Sequence, residues 1–177
     1  MKIVVITGSP HKNGTSALLA DEFIRGAEEA SHEIFRFDAA FEKVEPCIGC
    51  DKCRKTDGTC FRNDSMKKLV PHLSGADAIV FVMPVYYFGI PTQMKAVIDR
   101  FYAPESTMMG NKKVILLATA YNPDRAVMDS LISQFGQIIS YMKWEDAGKV
   151  LACGCGTREQ IEDSKYPEEA YKLGLNM

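Results

Sequence analysis

The sequence predicts an α/β fold, a five-stranded parallel sheet with helices on both faces. Two observations carry this. Short apolar runs at Lys2 to Thr7, Ala76 to Met83 and Lys113 to Ala118 are rich in β-branched residues and show no polar alternation. Strands buried on both faces read that way, and such strands are parallel. Helical patterns lie between them, so strand and helix alternate five times, which calls for right-handed βαβ units.

The elements follow in order. KIVVIT, Lys2 to Thr7, is the first strand and stops at Gly8. Ser16 to Ala30 places Leu18, Leu19, Phe23 and Ala27 on one helical face. Glu33 to Phe37 alternates and reads as a second strand. Residues 38–61 have no clean period; a connection that long in a compact domain is usually functional. Asp64 to Leu73 is a short helix, and Ala76 to Met83 is the third strand, stopped by Pro84. Pro91 to Phe101 is a helix with proline in its first turn. Lys113 to Ala118 is the fourth strand, and Arg125 to Met142 is a longer helix. Val150 to Gly154 ends a weaker fifth strand, and Pro167 to Leu173 is the last helix.

The chain has 177 residues, which suits one domain spanning 1–177. A net charge of −2 argues against nucleic-acid binding by bulk electrostatics, and no Lys/Arg block suggests an anionic membrane partner. No apolar run approaches the roughly 20 residues needed to span a bilayer. Met1-Lys2 runs straight into a strand without a signal-peptide pattern, so a cytoplasmic location is expected. Cys47, Cys50, Cys53 and Cys60 crowd together, and Cys153 and Cys155 follow near the end. In a reducing compartment, clustered thiols more often mean metal or redox chemistry than a disulfide framework.

Gly8-Ser9-Pro10-His11-Lys12-Asn13-Gly14-Thr15-Ser16 joins the first strand to the first helix. Ligands of open α/β sheets sit outside the carboxyl ends of strands. A helix N-terminus there offers free N–H groups and partial positive charge to a phosphate. Ser9, Thr15 and Ser16 add hydroxyls, and Asn13 an amide. The spacing matches neither a Walker A loop nor Gly-x-Gly-x-x-Gly, and a hydroxyl-rich loop fits a phosphate monoester such as that of FMN. The plainer reading is a strand-to-helix turn capped by Thr15 or Ser16.

Pro84-Val85-Tyr86-Tyr87-Phe88-Gly89-Ile90-Pro91 follows the third strand. Aromatics in a loop at that edge can line a flat ring and exclude water; alternatively, they cover the helix behind them. No Ser/His/Asp set or carboxylate pair emerges, so hydrolase readings gain little and no catalytic side chain is assigned.

These two motifs, the second extended through Thr92-Gln93-Met94-Lys95-Ala96-Val97-Ile98-Asp99-Arg100-Phe101, resemble the NADPH-dependent FMN reductase family, most closely its iron–sulfur flavoprotein branch. The resemblance covers nearly the whole chain. It implies a flavodoxin-like three-layer sandwich of strand order 2-1-3-4-5, one FMN, and a homodimer or homotetramer. It implies that Ser9, His11, Asn13, Thr15 and Ser16 hold the FMN phosphate, and that Pro84, Val85, Tyr86, Tyr87, Phe88 and Gly89 border the ring. A third flavin loop is expected at Thr119, Ala120, Tyr121 and Asn122, where relatives often have smaller, Gly-rich segments. Lys95, Asp99 and Arg100 are read as helix and interface residues.

The third motif is Cys47-Ile48-Gly49-Cys50-Asp51-Lys52-Cys53 with Cys60 beyond, in a Cys-rich loop at about 45–62. Thiols so spaced can hold one inorganic centre. A [4Fe–4S] cluster, as the resemblance suggests, a structural zinc and free thiols all remain open. Cys153 and Cys155 lie one residue apart on an extended chain and point to opposite sides, so they are read as small buried residues at a strand end.

The expected function is an FMN-dependent oxidoreductase. NADPH or NADH would reduce the flavin, and electrons would pass to a quinone, metal or protein acceptor. The rival is an iron–sulfur flavoprotein that transfers electrons without a small-molecule substrate. A weaker third reading is a metal-stabilised binding protein without flavin.

Overall fold

The computed structural model describes residues 1–177. Five parallel strands form one sheet in the order β2-β1-β3-β4-β5. They are β1 (Lys2–Thr7), β2 (Glu33–Asp38), β3 (Ala78–Pro84), β4 (Lys113–Thr119) and β5 (Glu145–Ala152). The helices are α1 (Thr15–Glu29), α2 (Met66–Gly75), α3 (Thr92–Asp99), α4 (Glu105–Met108), α5 (Asp129–Met142), α6 (Arg158–Glu162) and α7 (Tyr166–Leu175). The architecture is the expected flavodoxin-like sandwich.

The unbroken apolar runs have a direct cause. Val4, Ile6, Ile79, Phe81, Met83, Val114 and Leu116 face a core that also holds Phe101, Phe135 and Trp144. Their neighbours Ile3, Val5, Val80, Val82, Ile115 and Leu117 face a second core built on α1 and α7, around Phe23. Both faces of the central strands are dry, so neither tolerates the polar alternation of a half-solvated sheet. α1 and α7 cross at two glycines. A Cβ on Gly26 would lie 2.2 Å from the Tyr171 carbonyl oxygen, and one on Gly174 would lie 2.2 Å from that of Phe23.

Several expectations shift. The fifth strand, expected to end over Val150 to Gly154, is Glu145–Ala152 and stops two residues earlier. It is the sheet edge, so Glu145 and Asp146 stay exposed, and the register slips opposite Val114/Ile115. An edge strand with one wet side loses the apolar run that marks the central ones. The helix expected from Arg125 begins as a 3₁₀ turn, Arg125–Met128, before α5. α4 and α6 are too short to show a period in the sequence. Arg100 is not an interface residue, because its side chain is 3% exposed and paired with Asp64 inside the chain. Lys95 and Asp99 form an exposed i,i+4 pair.

Candidate functional site: a cleft at the carboxyl edge and a cysteine loop

β1, β3, β4 and β5 deliver their carboxyl ends to one edge, where their loops enclose a cleft of about 800 Å³. The β1–α1 loop forms one wall. Gly8 donates its N–H to Val82 O (2.8 Å), and its missing side chain matters: a Cβ there would lie 2.8 Å from Met94 Cβ on α3. Ser9 Oγ accepts from the His11 N–H at 3.1 Å, and Gly14 donates to His11 O at 3.2 Å, which folds the loop back on itself. α1 then starts at Thr15 with Gly14 as N-cap and no side-chain cap, so the plain capping role for Thr15 or Ser16 does not hold. The Thr15 hydroxyl instead donates to Thr119 Oγ1 at 3.0 Å, tying the first loop to the third. The backbone N–H groups of Lys12, Asn13, Thr15 and Ser16 find no acceptor in the chain.

The β3–α3 loop forms a second wall. Val85 donates to Thr119 O at 2.8 Å. Tyr86 and Gly89 exchange backbone bonds across a two-residue turn, with Tyr87 at φ 46° and Phe88 at φ 63°. Positive φ at both central positions is the type I′ geometry, which glycine and asparagine adopt easily and aromatic residues do not. The turn lifts Tyr87 into solvent, fully exposed, with Phe88 beside it.

The β4 and β5 ends close the third side. Ala120 donates to Ala152 O (2.8 Å), and Cys155 donates back to Ala120 O (3.0 Å). Tyr121 is 81% exposed, and its ring lies against Gly156, where a Cβ would come within 2.2 Å of it.

Ten of the expected flavin residues line this cleft: Ser9, His11, Asn13, Thr15, Pro84, Val85, Tyr86, Thr119, Ala120 and Tyr121. Ser16 is buried in α1, its N–H at the helix start, while Tyr87, Phe88 and Gly89 stand at the turn outside the lining. The lining also includes Pro10, Lys12 and Gly14 of the same first loop, and Cys155, Gly156 and Arg158, which the sequence motifs do not assign to the site. Cys155 is buried, as expected, while also lining the cleft. Its thiol donates to Cys153 O at 3.6 Å, and burial pushes the thiols of both Cys153 and Cys155 up from the usual range. Both stay protonated at neutral pH, which makes them poor nucleophiles.

The cysteine loop lies between β2 and α2. Arg100 holds its two ends, donating from Nη1 to Glu45 O (2.8 Å) and Asp64 Oδ2 (2.7 Å). The same carboxylate accepts from Glu45 N at 3.0 Å. Arg62 pairs with Glu45, and Tyr102 bridges Arg54 and Asp51, donating to Asp51 Oδ1 at 2.7 Å. Gly58 runs against the Ala103 carbonyl, only 2.6 Å from where its Cβ would be. Cys47, Cys50, Cys53 and Cys60 all line one cavity of about 20 Å³, and all four are free thiols. The donor set is right in kind for an iron–sulfur cluster or zinc. The spacing is not, since no three His, Cys, Asp or Glu side chains are placed to hold a metal ion. As folded, the loop does not fit a cluster.

A family model described as NADPH-dependent FMN reductase matches residues 1–154. The chain belongs to that family. It is an oxidoreductase of that family. A protein named iron-sulfur flavoprotein from Archaeoglobus fulgidus is 33% identical over 96% of this chain and 84% of its own length. The chain spans about half the length of other curated relatives with that name, among them one from Methanosarcina thermophila at 34% identity over 56% of this chain and 52% of its own length. Among solved structures, an azoreductase from Bacillus anthracis superposes with a TM-score of 0.78 at 18% identity, covering 100% of both chains. An NAD(P)H:quinone oxidoreductase from Methanothermobacter marburgensis gives 0.73 at 17% identity, covering 98% of this chain and 94% of its own. At such identities the likeness is one of fold. No helix is long and apolar enough to cross a membrane.

Proposed function

We propose that the cleft holds one FMN, its phosphate over residues 9–16 and its ring against residues 84–89 and 119–121, and that NADPH or NADH reduces it for an acceptor that is a quinone, a metal complex or a protein. The observation that carries this is the set of unpaired N–H groups at Lys12, Asn13, Thr15 and Ser16, gathered at the start of a 15-residue helix beside the cleft. Backbone donors and a helix dipole suit a phosphate dianion, and they are fixed before a ligand arrives. When bound, FMN supplies the hydride and electron chemistry, and the protein binds and orients it. Ser9, Asn13 and Thr15 present polar groups to the phosphate end. Pro84, Val85, Tyr86, Ala120 and Tyr121 offer an apolar and aromatic slot that excludes water at the ring end. No side chain in the lining is required as acid or base.

A homodimer or homotetramer would cover the exposed Tyr87 and Phe88 and close the ring site from water. The six free cysteines suit a reducing, cytoplasmic setting.

The second reading adds a [4Fe–4S] centre on Cys47, Cys50, Cys53 and Cys60 and makes the protein an electron-transfer module. It is favoured by four free thiols on one cavity and by the names of the curated relatives. It requires the exposed Cys47 and Cys50 to move inward on metal uptake.

Anaerobic stopped-flow mixing of FMN-loaded protein with NADPH or NADH separates the readings. Rapid bleaching of the flavin band supports the reductase. A flavin that stays oxidised with both, yet is reduced by dithionite, removes the reductase reading and leaves the carrier.

A further inference from the structure

We propose that Arg158 is the cation that recognises a phosphate in the carboxyl-edge cleft. This rests on the FMN reading of that cleft and adds a residue that the nine-residue loop of β1–α1 does not contain. Four observations converge on it.

First, the lining has two Lys or Arg side chains, Lys12 and Arg158, and no Asp or Glu. An anion entering the cleft meets no opposing carboxylate in its walls. Second, Lys12 is engaged elsewhere, with its ammonium 4.9 Å from the centre of the Phe41 ring, a cation–π distance. Third, Arg158 is tethered but not consumed. Its Nε donates to Glu162 Oε1 at 2.6 Å, one helical turn on, while Nη1 and Nη2 have no partner in the chain. A guanidinium with one edge anchored and its other donors free is prepared for a planar, bidentate contact with a phosphate. Fourth, the capping box fixes the start of α6, on which Arg158 is the first residue. Gln160 Oε1 already accepts from the N–H groups of Gly156 and Thr157, and Thr157 Oγ1 accepts from that of Gln160. The N–H groups of Arg158 and Glu159 find no backbone acceptor, so they add donors to a side chain whose Nη1 and Nη2 are also free. α6 packs beside α1, and Arg158 and the loop that leads into α1 line the same cleft.

The phosphate has two sources, FMN itself and the nicotinamide nucleotide that reduces it, and the experiment separates them. Apo-protein is titrated with FMN and with riboflavin, for wild type, Arg158→Gln and Arg158→Lys, and the half-saturating NADPH concentration is measured on FMN-loaded protein. If the group is the FMN phosphate, Arg158→Gln weakens FMN about 10- to 100-fold and leaves riboflavin unchanged, the range for a hydrogen-bonded charge. Arg158→Lys, with charge but no fork, falls between. If the group belongs to the nicotinamide nucleotide, FMN affinity stays and the NADPH requirement rises by a similar factor. Either result supports the assignment. If neither FMN affinity nor the NADPH requirement changes more than about twofold, a change too small for a charged contact, Arg158 is not a phosphate ligand, although the FMN reading stands. If wild type itself binds no FMN, both fall together. Arg158 is partly exposed and outside both cores, so the variants should fold; equal melting temperatures check this.

Discussion

The carboxyl-edge cleft and the cysteine loop are built in opposite ways. The cleft is made of strand ends. Its walls are fixed by backbone bonds such as Val85 to Thr119, Ala120 to Ala152 and Cys155 to Ala120, and its donors are ready before a ligand comes. The loop runs between β2 and α2 with few backbone bonds, and is pinned by side chains: Arg100 on Asp64 and Glu45, Arg62 on Glu45, Tyr102 between Arg54 and Asp51. The cleft's chemistry is preorganised. The loop's four thiols share a cavity but do not converge. A site on the rigid edge of a sheet is specified by the fold, whereas a site on a side-chain-pinned loop is specified only when its ligand closes it.

The loop should fail most visibly at Arg100. With Asp64 only 1% and Arg100 only 3% exposed, Arg100→Met leaves a buried carboxylate without its cation. We expect a loss of about 3–5 kcal/mol in denaturant unfolding. Faster proteolysis of the cysteine loop should accompany it. A stability within about 0.5 kcal/mol of wild type, the level of an ordinary surface change, would mean that the pair does not hold the loop.

The cleft should respond differently. Thr15→Ala removes a hydroxyl that reaches both the cleft and Thr119. FMN affinity should fall roughly tenfold, the lower end for a donor to an anion, while the melting temperature changes little. An unchanged FMN titration would remove Thr15 from the phosphate site.

Tyr87 probes the same contrast from the other side. It is fully exposed at φ 46°, so Tyr87→Gly should relieve backbone strain and raise stability by about 1 kcal/mol. If that gain comes with slower electron transfer to an acceptor or loss of an oligomer seen by light scattering, the strain serves an interaction. A loss of stability would show that the turn is not strained.

The smallest effect is a titration. Burial raises the pKa of Cys153 and Cys155, so the fold stabilises their thiol forms. That stabilisation is full below the unfolded thiol pKa and is lost as pH rises through the higher folded values. Alkylation of intact protein should therefore modify the exposed Cys47 and Cys50 first, with Cys155 reacting only at more alkaline pH. Equal rates at all six would contradict the burial.

The fold is legible in the sequence where both faces of a strand are dry. β1, β3 and β4 stand out as unbroken apolar runs because their odd and even residues feed separate cores. Once those strands are placed, the loops at 8–16, 84–91 and 119–122 fall at the ligand-binding edge by topology. β5 shows the limit. Glu145, Asp146 and Lys149 on an edge strand hide its start, and the apolar pattern puts its end at Gly154 instead of Ala152. That shift conceals Cys155, Gly156 and Arg158, although the rule that places the other loops would find them. Arg100 is hidden for a different reason. Its partners lie 36 and 55 residues away, and no local period reports a long-range ion pair.

Everything proposed for the cleft depends on where the flavin lies, and a crystal structure of the protein grown with FMN would locate it. We predict phosphate oxygens within hydrogen-bond reach of the Thr15 and Ser16 N–H groups, and the isoalloxazine between the loops at 84–89 and 119–121. A flavin seated on the cysteine loop, or a phosphate far from the start of α1, would contradict this placement.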